Sequence, residues 1–217
     1  MNNQTTIPSR PESRTDDLEP ADWWRRPCPV TERIILCGDL PHDPAGFAAH
    51  LDEWVRLGVT HIVDVREEWS DELRVLDQHP HIEYAHLGTH DSGGSQSTEW
   101  FDRGVAAMRA ALADPEAKVL VHCHMGVNRA PSLVYAALLT QGFDIEEGLD
   151  AIRDARPIAA ILYAESAIRW IGVLQGWSAV EVNDAVWRVR FWHGLNQVDL
   201  GVSWIISRIR QAERERV

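Results

Sequence analysis

Apolar positions along this chain fall into two rhythms. Short runs at 33–37 (RIILC), 59–66 (VTHIVDVR), 82–88 (IEYAHLG) and 117–123 (AKVLVHC) are rich in β-branched residues and predict strands. Longer stretches repeat with helical spacing. In 45–58 (AGFAAHLDEWVRLG), Phe47, Leu51, Trp54 and Val55 share one helical face, and Gly58 is a stop. Residues 99–114 predict a second helix, with Ser97 or Thr98 as its cap. Helices over 130–142 and 145–156 end at Gly142 and Pro157, and a third is expected from about Ile158 to Leu174. The composition of 89–98 (THDSGGSQST) marks a loop. Strand–helix alternation followed by a run of helices implies an α/β fold. Its centre is a mostly parallel sheet of about four to five strands, flanked by helices.

The two ends of the chain differ from this middle. Residues 1–20 are polar, with little to bury, and read as a flexible tail. Order is expected from Trp23 and Trp24 onward. Near the other end, Ser178 and Glu181 stand in capping-box spacing and start a new helix. An amphipathic helix over 202–216 closes the chain. Residues 177–217 carry Trp177, Trp187, Trp192 and Trp204, four of the ten tryptophans, so this extension must cover something. The candidates are the core, a lid beside a pocket, or a second copy of the chain in a homo-oligomer formed through the C-terminal helices.

Charge narrows the function classes. A net charge of −12 argues against a general nucleic-acid binder and against docking on an anionic membrane. Cys28, Cys37 and Cys123 form neither a disulfide framework nor a zinc ribbon. The first twenty residues lack the apolar stretch of a signal peptide, and later apolar runs are too short to span a bilayer, so the cytoplasm is the expected compartment. His79, His81, His86, His90, His122 and His124 carry no metal-ligand spacing, and neither a metal nor a cofactor is expected. The acidic run at 66–73 (REEWSDEL) reads as a solvated face, with repulsion of acidic substrates as a second effect.

Candidate chemistry concentrates in 121–132 (VHCHMGVNRAPS), where the most apolar strand ends in His-Cys and a helix begins. A strand, a tight loop and a helix start converge backbone N–H groups on one point, and the helix dipole adds positive potential there. Such a nest binds a tetrahedral oxyanion. Gly126 permits the turn, Arg129 adds a bidentate donor fork that Lys lacks, and Pro131 sits in the first helical turn. The same dipoles favour a thiolate at Cys123, a nucleophile aimed at phosphorus.

His-Cys, five residues and Arg, with Gly at the third of the five, resembles the signature of the cysteine-dependent protein tyrosine phosphatase superfamily, and most closely its small dual-specificity branch. The resemblance covers 30–175. It implies a protein tyrosine phosphatase-like fold and a phosphorylated protein as partner. The implied reaction is hydrolysis of phosphotyrosine, and of phosphoserine or phosphothreonine, through a phosphocysteine. Cys123 would be the nucleophile, Arg129 the phosphoryl clamp, and His124, Met125, Gly126, Val127, Asn128 and Arg129 the phosphate-binding loop. His122 would hydrogen-bond the loop backbone and tune the thiolate. The branch carries its general-acid Asp on a loop upstream of the Cys. Asp91, 32 residues before Cys123, is the first choice, and Asp102 is the alternative. The chain then divides into a tail (1–20), a dual-specificity phosphatase-like catalytic domain (21–176) and a helical, Trp-rich extension (177–217).

Two features depart from that pattern. Ala130 stands where the superfamily has a Ser or Thr hydroxyl that eases release of the cysteine, and Ser132 is the other candidate for that hydroxyl. Asn128 before the Arg is similar to RNA 5′-phosphatase relatives, although their following Thr-Gly is missing. The loop holds no Lys, which disfavours a phosphoinositide substrate. Three readings stay open: a phosphoprotein phosphatase, a phosphate-recognition pseudophosphatase, and a phosphatase of an RNA 5′-phosphate or another non-protein ester.

Overall fold

The computed structural model describes residues 22–215, so the expected tail at 1–20 lies outside the described residues. Five strands form one sheet in the order β1-β2-β5-β3-β4. They are β1 (Cys28–Pro29), β2 (Ile34–Cys37), β3 (His61–Arg66), β4 (Glu83–Thr89) and β5 (Val119–His122). β1 runs antiparallel to β2 on one edge, and every other pair is parallel. The apolar pattern does not reveal β1, because two residues ending in Pro carry no strand period. β5 is the central strand and is buried at every residue. Register places Cys37, His122 and Asp64 side by side at the C-terminal edge of the three central strands. This edge is where ligand sites of open parallel sheets form.

Alternation along the strands sorts side chains between two layers. Ile34, Leu36, Val63, Val65, Val119 and Val121 face the larger layer. There they meet α3 (Thr98–Ala111), α4 (Arg129–Thr140), α5 (Ile145–Ala155) and α6 (Ala164–Gln175). Ile35, Cys37, Ile62 and Leu120 face the smaller layer, built from α1 (Pro44–Arg56) and α2 (Glu72–Gln78). The helix signals are local. Asp43 caps α1 by accepting from Gly46 N–H, with Pro44 in the first turn. Ser97 rather than Thr98 caps α3, accepting from Trp100 N–H at 3.2 Å. Ser178 and Glu181 form the expected capping box of α7 (Ala179–Leu195).

Two elements differ from expectation. The acidic run is not only a solvated face, because its second half starts α2 and buries Val75. The helix expected from Ile158 begins at Ala164. Ile161 sits at φ 53°, a left-handed conformation that β-branched residues avoid. The tertiary structure imposes it. Ala160 N–H donates to Val127 O at 2.7 Å, and Leu162 N–H donates to Asn128 Oδ1 at 2.8 Å. The segment is drawn onto the Cys–Arg loop instead of coiling.

The extension packs along one face. α7 buries Ala185, Val186, Val189 and Trp192 in the larger core, and Trp192 Nε1 donates to Asp150 at 2.7 Å. Full burial of a valine such as Val189 contributes about 1.5–3 kcal/mol. Trp187 and Phe191 stack on each other at 5.2 Å on the exposed side. α8 (Val198–Arg214) is anchored by Ile205 and Ile209, while Trp204 stays exposed. Among the described residues, no helix is long and apolar enough to cross a membrane.

Candidate active site

β5 delivers Cys123 to a loop that ends where Arg129 opens α4. Every carbonyl from His124 to Val127 is held from outside this loop. Asp39 N–H donates to His124 O at 2.9 Å, and Ala160 N–H to Val127 O at 2.7 Å. The Arg156 guanidinium donates from Nε to Gly126 O at 2.7 Å and from Nη2 to Met125 O at 3.1 Å. Peptide planes are rigid, so a carbonyl turned outward turns the next N–H inward. The amides of Met125, Gly126, Val127 and Asn128 are thereby directed to the concave side, the geometry of an anion nest. Gly126 adopts φ 63°, and a Cβ there would meet Arg156 Nη2 and Cys37 O, each at 2.5 Å. Arg156, legible in the sequence only as a helix end before Pro157, is buried, and it also donates to the carbonyls of Trp24 and Arg26. No local pattern announces that role.

Arg129 is 3% exposed. Its Nη1 and Nη2 donate to the two oxygens of Glu68 at 2.8 and 2.9 Å, and Nη1 donates also to Thr89 O at 3.1 Å. Those bonds engage the far end of the guanidinium. Nε–H and the second hydrogen of Nη2 remain as a side-on pair that matches two oxygens of a phosphoryl group. Burial works against the charge of Arg129, but the Glu68 contact, with Cys123 and Asp91 nearby, outweighs it and raises the pKa. The Glu68 carboxyl is likewise held low by Arg129, against its own partial burial. Glu68 lies in the acidic run that sequence alone assigns to solvent.

Asp91 faces the same loop. Its Oδ1 accepts from Asn128 Nδ2 at 2.7 Å and from the Tyr163 hydroxyl at 2.8 Å, and its Oδ2 lies 3.4 Å from Arg129 Nε. Burial, then the bond to Asp91, pushes the Tyr163 phenol up, so it stays a donor. Asp102 is not brought to this site. It sits on α3, where Oδ1 accepts from Trp170 Nε1 at 2.8 Å.

Residues 47–171, over half of the chain, match the catalytic domain of dual specificity phosphatases. The chain belongs to that family. Dual specificity protein phosphatase 26 of Rattus norvegicus is 31% identical over 105 residues, which are 48% of this chain and 49% of that protein. The chain thus spans about half the length of the curated relatives it matches. Human DUSP28 has the same fold, with a TM-score of 0.55 at 21% identity, over 69% of this chain and 95% of that one. A mouse putative dual specificity phosphatase complexed with zinc tungstate gives a TM-score of 0.57 at 20% identity, over 75% and 94%. α7 and α8 lie beyond the family match.

One detail departs from what the family resemblance implies. The expected hydrogen bond from His122 to the loop backbone is not formed. Strand alternation sends this side chain to the face opposite Cys123, where its ring lies 5.5 Å from that of Trp54. Neither ring nitrogen has a hydrogen-bond partner among the described residues, and Nε2 is 3.8 Å from Asp64 Oδ1. Burial lowers the pKa of His122, against the opposing field of Asp64. The Ser132 hydroxyl is also committed. It donates to Asn128 Oδ1 at 3.3 Å and accepts from Tyr163 N–H at 3.2 Å. His86 contacts Arg66 O at 2.6 Å and His90 pairs with Glu67 at 3.0 Å, so neither imidazole is directed at the loop.

Proposed function

We propose that this chain hydrolyses phosphate monoesters on proteins, phosphotyrosine together with phosphoserine or phosphothreonine, through a phosphocysteine on Cys123. What carries this reading is that Cys123 opens a loop whose carbonyls are held outward, while Arg129 ends that loop and the Asp91 carboxyl bonds to it. Bound there, the phosphoryl oxygens would take hydrogen bonds from the loop amides and from Arg129 Nε and Nη2. The Cys123 thiolate attacks phosphorus, the P–O ester bond breaks, and Asp91 delivers its proton to the leaving oxygen. Asp91, now a carboxylate, takes a proton from water as that water attacks phosphorus. The P–S bond then breaks, releasing phosphate and restoring the thiolate. Glu68 and Arg156 hold the clamp and the nest in shape without touching the reacting atoms. Three unpaired cysteines suit a reducing compartment, and we place the reaction in the cytoplasm.

The test is Cys123→Ser in the full chain. It should abolish hydrolysis of an aryl phosphate while tungstate binding survives, because the nest is backbone held from behind by Asp39, Arg156 and Ala160. Retained turnover would remove the cysteine mechanism. Loss of tungstate binding along with turnover would show that the sulfur, not the nest, holds the anion.

A further inference from the structure

The last helix returns to the phosphate loop from outside the family match. Glu213, in the final turn of α8, places Oε1 3.0 Å from His124 Nε2. The other ring nitrogen, Nδ1, lies 2.8 Å from Asp39 Oδ2. Asp39 is fully buried, and its second oxygen is 2.9 Å from Arg25 Nη2. Arg25, Asp39, His124 and Glu213 therefore form one chain in which basic and acidic side chains alternate, and His124 is the residue directly after Cys123. A neutral imidazole has one N–H, so it would turn a lone pair toward one of these two carboxylates. An imidazolium donates to both.

Two further facts single out Glu213. A carboxylate in the last turn of a helix is opposed by the helix dipole, so the contact with His124 has to hold it there. The other acids near this ring are already engaged by arginines, Asp39 by Arg25 and Glu68 by Arg129. Among the described residues the ion-pair partner of Glu213 is His124.

We propose that Glu213 is a positioning residue of the phosphate loop. Acting through the His124 imidazolium, it ties the C-terminal helix to the loop and keeps a positive charge beside the bound anion. This rests on the reading of 123–129 as a phosphate site. The charged groups facing the ring are Asp39 from the turn after β2, Glu213 from α8, Arg25 from the N-terminal turn and Glu68 from the loop after β3. Trp69 meets the ring edge-on at 5.6 Å. Burial and Arg25 push the His124 pKa down, and the hydrogen bond and charge of Asp39 with the charge of Glu213 push it up and prevail.

Tungstate binding to the full chain, followed between about pH 6 and 8 together with the NMR titration of the His124 ring, tests this. Glu213→Gln should move the ring titration to lower pH and weaken tungstate binding near neutrality by about two- to five-fold. Glu213→Asp should recover part of the loss. The double variant Glu213→Gln with His124→Asn should bind as His124→Asn alone does. An unmoved ring titration, or losses that add in the double variant, would overturn the inference while leaving the phosphate site in place. A parent protein that binds no tungstate would instead overturn the phosphate-site reading, and the inference with it.

Discussion

Asn128 donates from Nδ2 to Asp91 Oδ1 at 2.7 Å, which fastens the loop after β4 to the loop after β5. The same oxygen accepts the Tyr163 hydroxyl, so two neutral donors and the nearby Arg129 orient this carboxyl. In the proposed role of general acid, Asp91 would matter most when the leaving oxygen is a poor one. Asp91→Asn should lower kcat/KM by about 10²-fold or more for such esters, and Asn128→Ala should lower it less. Esters with good leaving groups should hardly change in either variant. The measurement is kcat/KM across aryl phosphates of rising leaving-group pKa. A slope identical to the parent's in Asp91→Asn would place the acid elsewhere.

The Glu68–Arg129 pair leads to a second expectation. Gln keeps the shape of Glu68 but offers a single carbonyl oxygen and turns an NH2 group toward the guanidinium. Glu68→Gln should lower kcat/KM about ten-fold, since a hydrogen bond to a charged group contributes roughly 1.5–3 kcal/mol and Glu68 is half-exposed. Binding of tungstate should weaken in parallel. Unchanged kinetics would show that Arg129 keeps its orientation without Glu68.

On the proposed phosphocysteine route, the position of Ser132 bears on the second chemical step. Its hydroxyl is engaged by Asn128 and Tyr163, and Ala130 offers none. Breakdown of the phosphocysteine should therefore limit turnover. Rapid mixing with an aryl phosphate should give a burst of about one phenol per active site before the slower steady rate. Ala130→Ser should raise the steady rate and shrink the burst. A parent enzyme without a burst would mean that formation of the intermediate is limiting.

Acid stability should report on Asp64. Arg66 donates to its two oxygens at 2.8 and 2.7 Å, and Tyr84 adds a third bond at 2.7 Å. Burial opposes ionisation of Asp64, but the field of His122 and these bonds outweigh it and lower the pKa to about 2. A depressed carboxyl contributes stability above its ordinary range and loses it as pH falls through the folded value. About 2 kcal/mol should therefore disappear between about pH 4 and pH 2. His122, whose pKa burial lowers, acts in the same direction at higher pH, with stability lost as pH falls below the ordinary histidine range. Urea unfolding of the parent and of Asp64→Asn over this range is the check. A variant with the same acid limb as the parent would clear Asp64 of that role.

Much of this fold was legible because its signals are local. β2, β3, β4 and β5 follow from their apolar runs, and α3 and α7 start at Ser97 and Ser178 because a cap and its target N–H lie within one turn. The Cys–Arg loop is likewise contiguous, so residue types at fixed spacing were enough to expect a nest. The apolar spacing of 158–163 predicts helix, but Ile161 is forced out of the helical region by bonds to Val127 and Asn128, which no window around it contains. β1 is too short to have a period.

By itself the sequence determined the α/β class, the parallel centre of the sheet and the order Cys123, Gly126, Arg129. These rest on periodicity and on one continuous stretch of backbone. Only the tertiary structure decided that Asp91 rather than Asp102 meets the loop, that Glu68 grips Arg129, that Arg156 turns the loop carbonyls outward, and that Glu213 reaches His124. Each is a directional polar contact between residues 30 to 89 positions apart. Charge and hydrogen bonding leave no periodic trace in a chain, and such pairs exist only once packing has set the distance between them.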